Sequence, residues 1–563
     1  MSKSKALEKQ ITNTPIHSNG GFISSIQNYK FTVEDKICLT VLSILICIIY
    51  IIRSKFLYIP FERDEGIYGY YGKLLLEGKI PYKDFYEQKF PGLFYFYAFM
   101  VSIFGDTVKG LHTGFMYLNI LTVVLIYFTS KILYTPIAGL ISATTFAFVS
   151  LTPELSGFTV QAEHGVAFFI SGGLLFYALY NTQKKWYYNF LMGVSFGFAI
   201  MTKTSGLFLV LWGGVILILD FLFSDNKTFK KLIIQISTYS TGVFLIIGSF
   251  FLLIYVKGSF QDMIFWTYEI PKNYVSKIPF DDGIKYFTYS KNAIVQNYKF
   301  FWYHSLLAVL LSLLKTVSWQ QKFFGITLLV FSFFTIVPGF YFYGHYWIQT
   351  IPGLSIVTGL TYYTIISLAN KFLKIQSIKY VYLSVFALLT YTHISALKSY
   401  YFKPNYERIL RTVYGNNPFP ESMEIGNWIN ANSKPEDNIV LLGSEPQIYF
   451  YTKKRSPSRH AYFAAIVDNV PQHKEWQREF VKDVEKANPK YLVYFNHPIS
   501  LFVQPNTDKY VFEWANTYVN SNYHLVGLVD MIEGQHSSYL WREQIGNYKP
   551  VSQNIIYVYE RNK

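Results

Sequence analysis

Apolar runs separated by short polar joints fill the first four hundred residues. Runs near 37–58, 110–130, 136–152, 164–181, 187–202, 204–222, 232–256, 301–315, 322–340, 346–367 and 378–397 are almost free of charge. About 20 apolar residues in a helix cross roughly 30 Å of hydrocarbon, so the pattern predicts a polytopic α-helical membrane protein with about eleven transmembrane helices. A further run, Leu93–Phe104, is bounded by Pro91-Gly92 and Gly105-Asp106. It reaches only about 20 Å as a helix, and it reads as a juxtamembrane or re-entrant piece. Past residue 398 the chain becomes polar. Helix-like and strand-like runs alternate at Glu421–Asn430, Asn438–Gly443, Trp476–Ala487, Tyr491–Phe495, Tyr510–Asn520 and Asn554–Tyr559, the pattern of a small α/β domain. No repeat period of 20–50 residues is visible.

Lysines assign the sides. If Leu93–Phe104 does not cross, then Lys131, Lys184-Lys185, Lys227 with Lys230-Lys231, Lys315 with Lys322, and Lys371, Lys374 and Lys379 all share the side of the lysine-bearing N-terminus. Lysine-rich loops mark the cytoplasmic face. The expected organisation is a cytoplasmic tail (1–35), a transmembrane domain (36–397) with an external loop at 60–109, and a soluble extracytoplasmic α/β domain (398–563). The Thr152–Glu163 loop, Lys203, the 257–300 loop and the Gly339–His345 turn then also face outward. The N-terminal 30 residues lack the apolar core of a cleavable signal, so the first span directs insertion.

Composition agrees and removes several function classes. Of 563 residues, 51% are apolar and 15% charged, where a soluble protein carries about 25% charge. The formal charge of +15 belongs to cytoplasmic loops. No helix-turn-helix or finger spacing accompanies it, so nucleic acid is not an expected partner. Cys38 and Cys47 share the first span, where one helix cannot bring them into a disulfide, and they have no metal-site spacing. There is no Walker loop, GxGxxG, HExxH or CxxC. The chain shows no sign of using ATP or a dinucleotide, and a donor already activated outside the membrane fits this better.

The charge-dense stretch from Phe61 to Gly92, FERDEGIYGYYGKLLLEGKIPYKDFYEQKFPG, sits oddly between apolar spans. Tyr68, Tyr71, Leu74 and Leu75 recur at helical spacing, with Asp64 placed to cap the helix and Gly78 to end it. This predicts a short amphipathic helix lying on the membrane near the lipid headgroups. Asp64 and Glu65 would stand at its start, where a carboxylate can take a proton from an acceptor or hold a cation. Interfacial solvation is the bland alternative. Lys89 precedes Pro91-Gly92, a turn that would aim the lysine at a phosphate; alternatively it snorkels. Lys203 interrupts AIMTKTSGLFLV, and charge at membrane depth is costly and usually functional. Glu163 begins a span, as an ordinary first-turn acid or as a second carboxylate facing Asp64. His345 and Tyr346 precede WIQTIPGL, as belt residues or as donors to a phosphate. Trp266, Tyr268 and Tyr274 could stack on a sugar.

Taken together, DEGIYGYYGKLLLEGKIPYKDFYEQKFPG, QAEHG, MTKTSG and GHYWIQTIPG resemble the GT-C membrane glycosyltransferases. The closest branch is the protein O-mannosyltransferase and lipid A aminoarabinose transferase group (glycosyltransferase family 39-like), over residues 37–400. The resemblance implies a GT-C fold and transfer of a sugar from a polyprenyl-phosphate donor to a lipid, glycan or protein acceptor on the outer face. Asp64 matches the external-loop acid that acts as base or metal ligand, with Glu65 its partner. Lys89, Lys203, His345 and Tyr346 match the donor-phosphate contacts, and Glu163 the second-loop acid. No cofactor is firmly implied; a divalent metal would have Asp64 and Glu163 as candidate ligands. Two departures stand out. Phe90 replaces a proline common in the family, and the second loop has no Asp-x-Asp. A transporter or flippase of lipid-linked sugars and a non-catalytic scaffold are the competing readings.

Overall fold

The computed structural model describes residues 31–225, 227–275, 278–314, 317–375, 377–468, 470–533 and 536–563. Most of the expected N-terminal tail, residues 1–30, lies outside them. A helix stands at each of the eleven predicted spans: α1 (Val33–Ser54), α4 (Val108–Leu133), α5 (Pro136–Val149), α6 (Ala162–Gln183), α7 (Trp186–Thr202), α8 (Leu207–Leu222), α9 (Phe229–Val256), α11 (Lys299–Ser312), α12 (Trp319–Phe334), α13 (Ile351–Phe372) and α14 (Ile378–Ala396). By length and composition, six helices among the described residues can cross a membrane unaided, whereas α5 and α3 (Pro91–Phe104) are short and apolar. Between α9 and α11 the chain is not an open loop. It forms short helices over 260–275 and then α10 (Phe280–Asn297).

Side-chain contacts tie α1 to its neighbours at both of its ends. Thr32 caps α1 through a capping box with Asp35, and Asp35 pairs with Lys131 at the last turn of α4, 2.7 Å away. At the other end of these antiparallel helices, His112 Nε2 lies 3.2 Å from the Ile59 carbonyl. There the buried Arg53 donates to Gly157 O at 3.1 Å and so holds the 152–163 loop against α1.

The C-terminal part folds as a five-stranded sheet: β1 (Ile439–Leu442), β2 (Tyr491–Asn496), β3 (Tyr523–Asp530), β4 (Ser538–Trp541) and β5 (Ile555–Arg561), in the order β1-β2-β5-β3-β4. The β1–β2 pair is parallel and the others antiparallel. α15 (Phe419–Asn432), α16 (Gln447–Thr452), α17 (His473–Ala487) and α18 (Tyr510–Asn522) accompany it. Every predicted run is present. β3 and β4 were not expected, because β3 follows α18 with no intervening turn residue.

The external-loop helix, α2 (Arg63–Leu76), departs most from expectation. It ends as predicted, with Gly78 at φ +84° just beyond the last turn. It does not lie on the membrane. Glu65 through Gly72 are all buried, because α2 is wedged between α3 below and α16 of the C-terminal unit above. Tyr71 stacks on Phe85 at 4.3 Å, and Tyr70 stacks on Tyr449 at 5.3 Å. At Gly66 the two parts touch so closely that a Cβ would overlap the backbone and Cβ of Gln447. Gly66→Ala is therefore expected to lower stability by about 1–3 kcal/mol, the usual cost of overpacking. Thermal unfolding in detergent measures it.

Candidate active site

The first turn of α2 carries the acidic motif. Glu62, not Asp64, is the N-cap. It accepts the Glu65 N–H at 2.9 Å, and Glu65 accepts the Glu62 N–H at 2.8 Å, a reciprocal capping box built from two glutamates. Both side chains also hold the second external loop. Glu62 accepts from Gln161 Nε2 at 2.7 Å, and Glu65 accepts from the Val160 N–H. Glu65 is 1% exposed, and each of its oxygens takes a backbone N–H. Burial pushes both carboxyls up, Glu65 from an ordinary 4.5 to about 8. Glu65 is thus placed to position this turn.

Asp64 is different. It is half-buried and makes no hydrogen bond or ion pair among the described residues. The charges around it are those singled out in the sequence. Lys203 and His345 each feel the charges of Asp64, Lys89 and Glu163, so five residues spread over 282 positions share one electrostatic neighbourhood. Lys89 does not precede a turn: Phe90 is the N-cap and Pro91 the first residue of α3. What fixes Lys89 is Tyr82, 1% exposed, whose hydroxyl donates to the Lys89 carbonyl at 2.6 Å.

Lys203 marks the break between α7 and α8, where the backbone becomes extended and a 3-10 turn, Thr204–Gly206, follows. Its ammonium pairs with Glu163 Oε1 and lies 3.8 Å from the centre of the Tyr346 ring. His345 Nε2 stands 3.8 Å from the same Glu163 oxygen, and the His345 ring stacks on Tyr343 at 5.8 Å. Glu163 is therefore first the counter-ion of Lys203, and its other oxygen is buried without a partner. Neighbouring His164 turns elsewhere, with Nδ1 3.0 Å from Asn119 Oδ1.

Two residues with no assigned role join the cluster. Tyr68, four residues after Asp64 on the same helix face, is 3% exposed. Burial and then the charges of Asp64, Glu87 and Glu163 hold its hydroxyl neutral, well above its usual range. Burial likewise raises the Glu87 carboxyl, against Lys89. The i,i+4 spacing could have singled out Tyr68. Trp266 is unavailable to a sugar, because it is 4% exposed and stacked between Tyr86 and Trp476 at 4.5 and 4.9 Å. Tyr268 is exposed beneath Lys272; the Tyr274 side chain lies outside the described residues. Among the described residues, no three His, Cys, Asp or Glu side chains stand close enough to hold a metal, so Asp64 and Glu163 have no third protein ligand of those types. A groove of about 770 Å³ along α11, at Phe300, Tyr303 and Leu307, is apolar and does not include this cluster.

Comparison with known proteins meets the same residues. Residues 88–254, which include Lys89, Glu163 and Lys203, match the family described as dolichyl-phosphate-mannose-protein mannosyltransferase. The fold is similar to that of ArnT from Cupriavidus metallidurans bound to undecaprenyl phosphate, with TM-score 0.56, 12% identity, and coverage of 92% of this chain and 97% of that one. It is also similar to the Archaeoglobus fulgidus oligosaccharyltransferase tethered with an acceptor peptide, with TM-score 0.50, 14% identity, and coverage of 89% and 74%. The family match covers under a third of the chain, and at 12–14% identity the two structures show a shared fold. No curated protein sequence matches this chain. Its long apolar helices make it a multi-pass membrane protein.

The Glu62–Glu65 pair has a pH signature. Burial favours the protonated form of Glu65 in the folded chain. Below pH ~4.5 the carboxyl is neutral folded or unfolded. As pH rises from there to about 8, only the unfolded chain releases the proton, so folded stability falls over that window and levels off above it. The melting temperature should decline across the window in wild type and decline less in Glu65→Gln, whatever the variant's absolute value.

Proposed function

We propose that this GT-C chain transfers a sugar from a polyprenyl-phosphate-linked donor to a lipid, glycan or protein acceptor at the outer face of the membrane. The observation that carries the reading is the juxtaposition of an unpartnered acid, Asp64, with the cations Lys89 and Lys203 and with His345. Asp64 takes the proton from the acceptor hydroxyl or amine as that atom attacks the anomeric carbon. The bond from that carbon to the phosphate oxygen breaks, and the pair of electrons leaves with the phosphate. One displacement from the opposite face inverts the centre. Phosphate is a competent leaving group, so fixed positive charge from Lys89 and Lys203, with His345 and Tyr346 alongside, serves it better than a second general acid. Glu163 keeps Lys203 in place.

The organisation that serves this reading is a transmembrane catalytic part (36–397) with its external loop at 60–109, an N-terminus in the cytoplasm and an extracytoplasmic unit (398–563). The lysine-rich loops opposite the cluster support that orientation. The similar ArnT structure is bound to undecaprenyl phosphate, which supports a lipid phosphate as the partner of the cations.

The test is transfer of radiolabelled sugar from undecaprenyl-phosphate mannose by the purified chain in liposomes. Asp64→Asn should lower the rate by about 100-fold or more, the share of a general base, with insertion and melting unchanged. Lys203→Ala should weaken binding of undecaprenyl phosphate itself. A carrier or scaffold would tolerate Asp64→Asn, so a wild-type transfer rate in that variant sinks the assigned base.

A further inference from the structure

Among the contacts of the C-terminal unit with the acidic turn, one side chain, Arg63, immediately precedes Asp64. Its guanidinium makes three hydrogen bonds through two of its nitrogens. Nε donates to the Ser444 carbonyl at 3.1 Å. One terminal nitrogen donates to Asn417 Oδ1 at 2.8 Å and to Glu445 Oε1 at 2.7 Å. The two rings of Phe419 and Phe502 each stand 5.2 Å from the guanidinium carbon. Glu445 is fully buried, and its second oxygen accepts from Gln447 Nε2 at 2.8 Å.

This socket has a recognisable place in the sheet. Ser444 and Glu445 follow the carboxyl end of β1, and Phe502 lies a few residues past the end of β2, its parallel neighbour. The loops after parallel strands are where α/β sheets bind ligands. Here that position receives a side chain from the membrane part of the same molecule. On the other side of Asp64, Glu62 and Glu65 are tied to Gln161 and Val160. Asp64 itself has no partner, so its placement is set by these flanking anchors.

We infer that the C-terminal unit is a working part of the transfer site, with Arg63 in the Ser444–Glu445 socket acting as the positioning residue that holds Asp64 at the reacting centre. The inference rests on the sugar-transfer reading for its kinetic consequence but not for its structural one. Lysine cannot substitute, because it keeps the charge but loses the planar fork and the stacking. Misplacement of a reacting group by about 1 Å costs on the order of 100-fold in rate.

The experiment compares the full-length chain with Arg63→Lys and with Arg455→Gln. Arg455 joins the same two parts through Glu77 at 2.8 Å, at an exposed position. Transfer from undecaprenyl-phosphate mannose and amide hydrogen exchange over 61–66 are both measured. Arg63→Lys is expected to lower kcat by about 10- to 100-fold with donor KM within about twofold, and to speed exchange of the first turn at unchanged melting temperature. Arg455→Gln should leave both readouts at wild-type values. Asn417→Ala, which removes one contact of the socket, should fall between if Arg63→Lys folds poorly. Wild-type exchange and kcat in Arg63→Lys, or an equal loss in Arg455→Gln, overturns the inference. If the wild-type chain transfers nothing while Asp64→Asn matches it in every assay, the sugar-transfer reading fails instead, and exchange over 61–66 still decides the socket.

Discussion

The structure depends on how four consecutive residues, Glu62 to Glu65, are shared out. Glu62 and Glu65 close the first turn of α2 on each other and on the second external loop. Arg63 turns the opposite way, into the C-terminal unit. Breaking a buried ion pair by removing one partner costs about 3–5 kcal/mol, so the Arg63–Glu445 pair ties the soluble and membrane parts more firmly than exposed bridges such as Lys453–Asp106, worth about 0–1 kcal/mol. With three of the four residues committed, the carboxylate of the fourth, Asp64, is the one without a partner among the described residues.

Burying two adjacent glutamates is expensive, and the arrangement offsets the cost in two ways. Each carboxyl accepts hydrogen bonds from fixed donors, and the raised Glu65 carboxyl can keep its proton near neutral pH. A protonated Glu65 also removes a negative charge beside Asp64, since the pair would otherwise repel. Replacing Glu62 by a conventional serine or aspartate cap would satisfy the helix end, but it would shorten the reach to Gln161 and loosen the second loop that delivers Glu163.

Much of this was legible in the sequence, for reasons that differ by residue. The spans show as runs of apolar residues, and Gly78 and the break at Lys203 show as local chemistry. Lys203 stands out because charge at membrane depth is rare, and Asp64, Lys89, Glu163 and His345 because each lies beside an apolar run; all five share one neighbourhood. The burial of α2 was not legible. Its Tyr- and Gly-rich face reads as amphipathic, and only the presence of α16 makes the other face an interior one. Arg63 could not have been paired with Glu445, 382 positions away, because nothing local distinguishes it from a solvated arginine. The choice of Glu62 over Asp64 as cap was missed because the usual preference favours the shorter side chain, whereas here the longer one also has to reach Gln161.

Charge pairing sorts the remaining roles. Lys203 and Glu163 face each other where solvent is scarce, and neither would persist there alone. The pair is locally near neutral, and His345 Nε2 stands 3.8 Å from the same Glu163 oxygen. Lys89 makes no ion pair among the described residues, so its charge is available at once. In the sugar-transfer reading proposed above, the Lys89 ammonium is the first attraction for a phosphate, and the Lys203 ammonium turns from Glu163 toward the phosphate as negative charge builds there during bond cleavage. An interaction that strengthens only as the bond breaks lowers the barrier rather than merely tightening the ground state, and on that proposed reading Lys203, more than Lys89, belongs to the barrier.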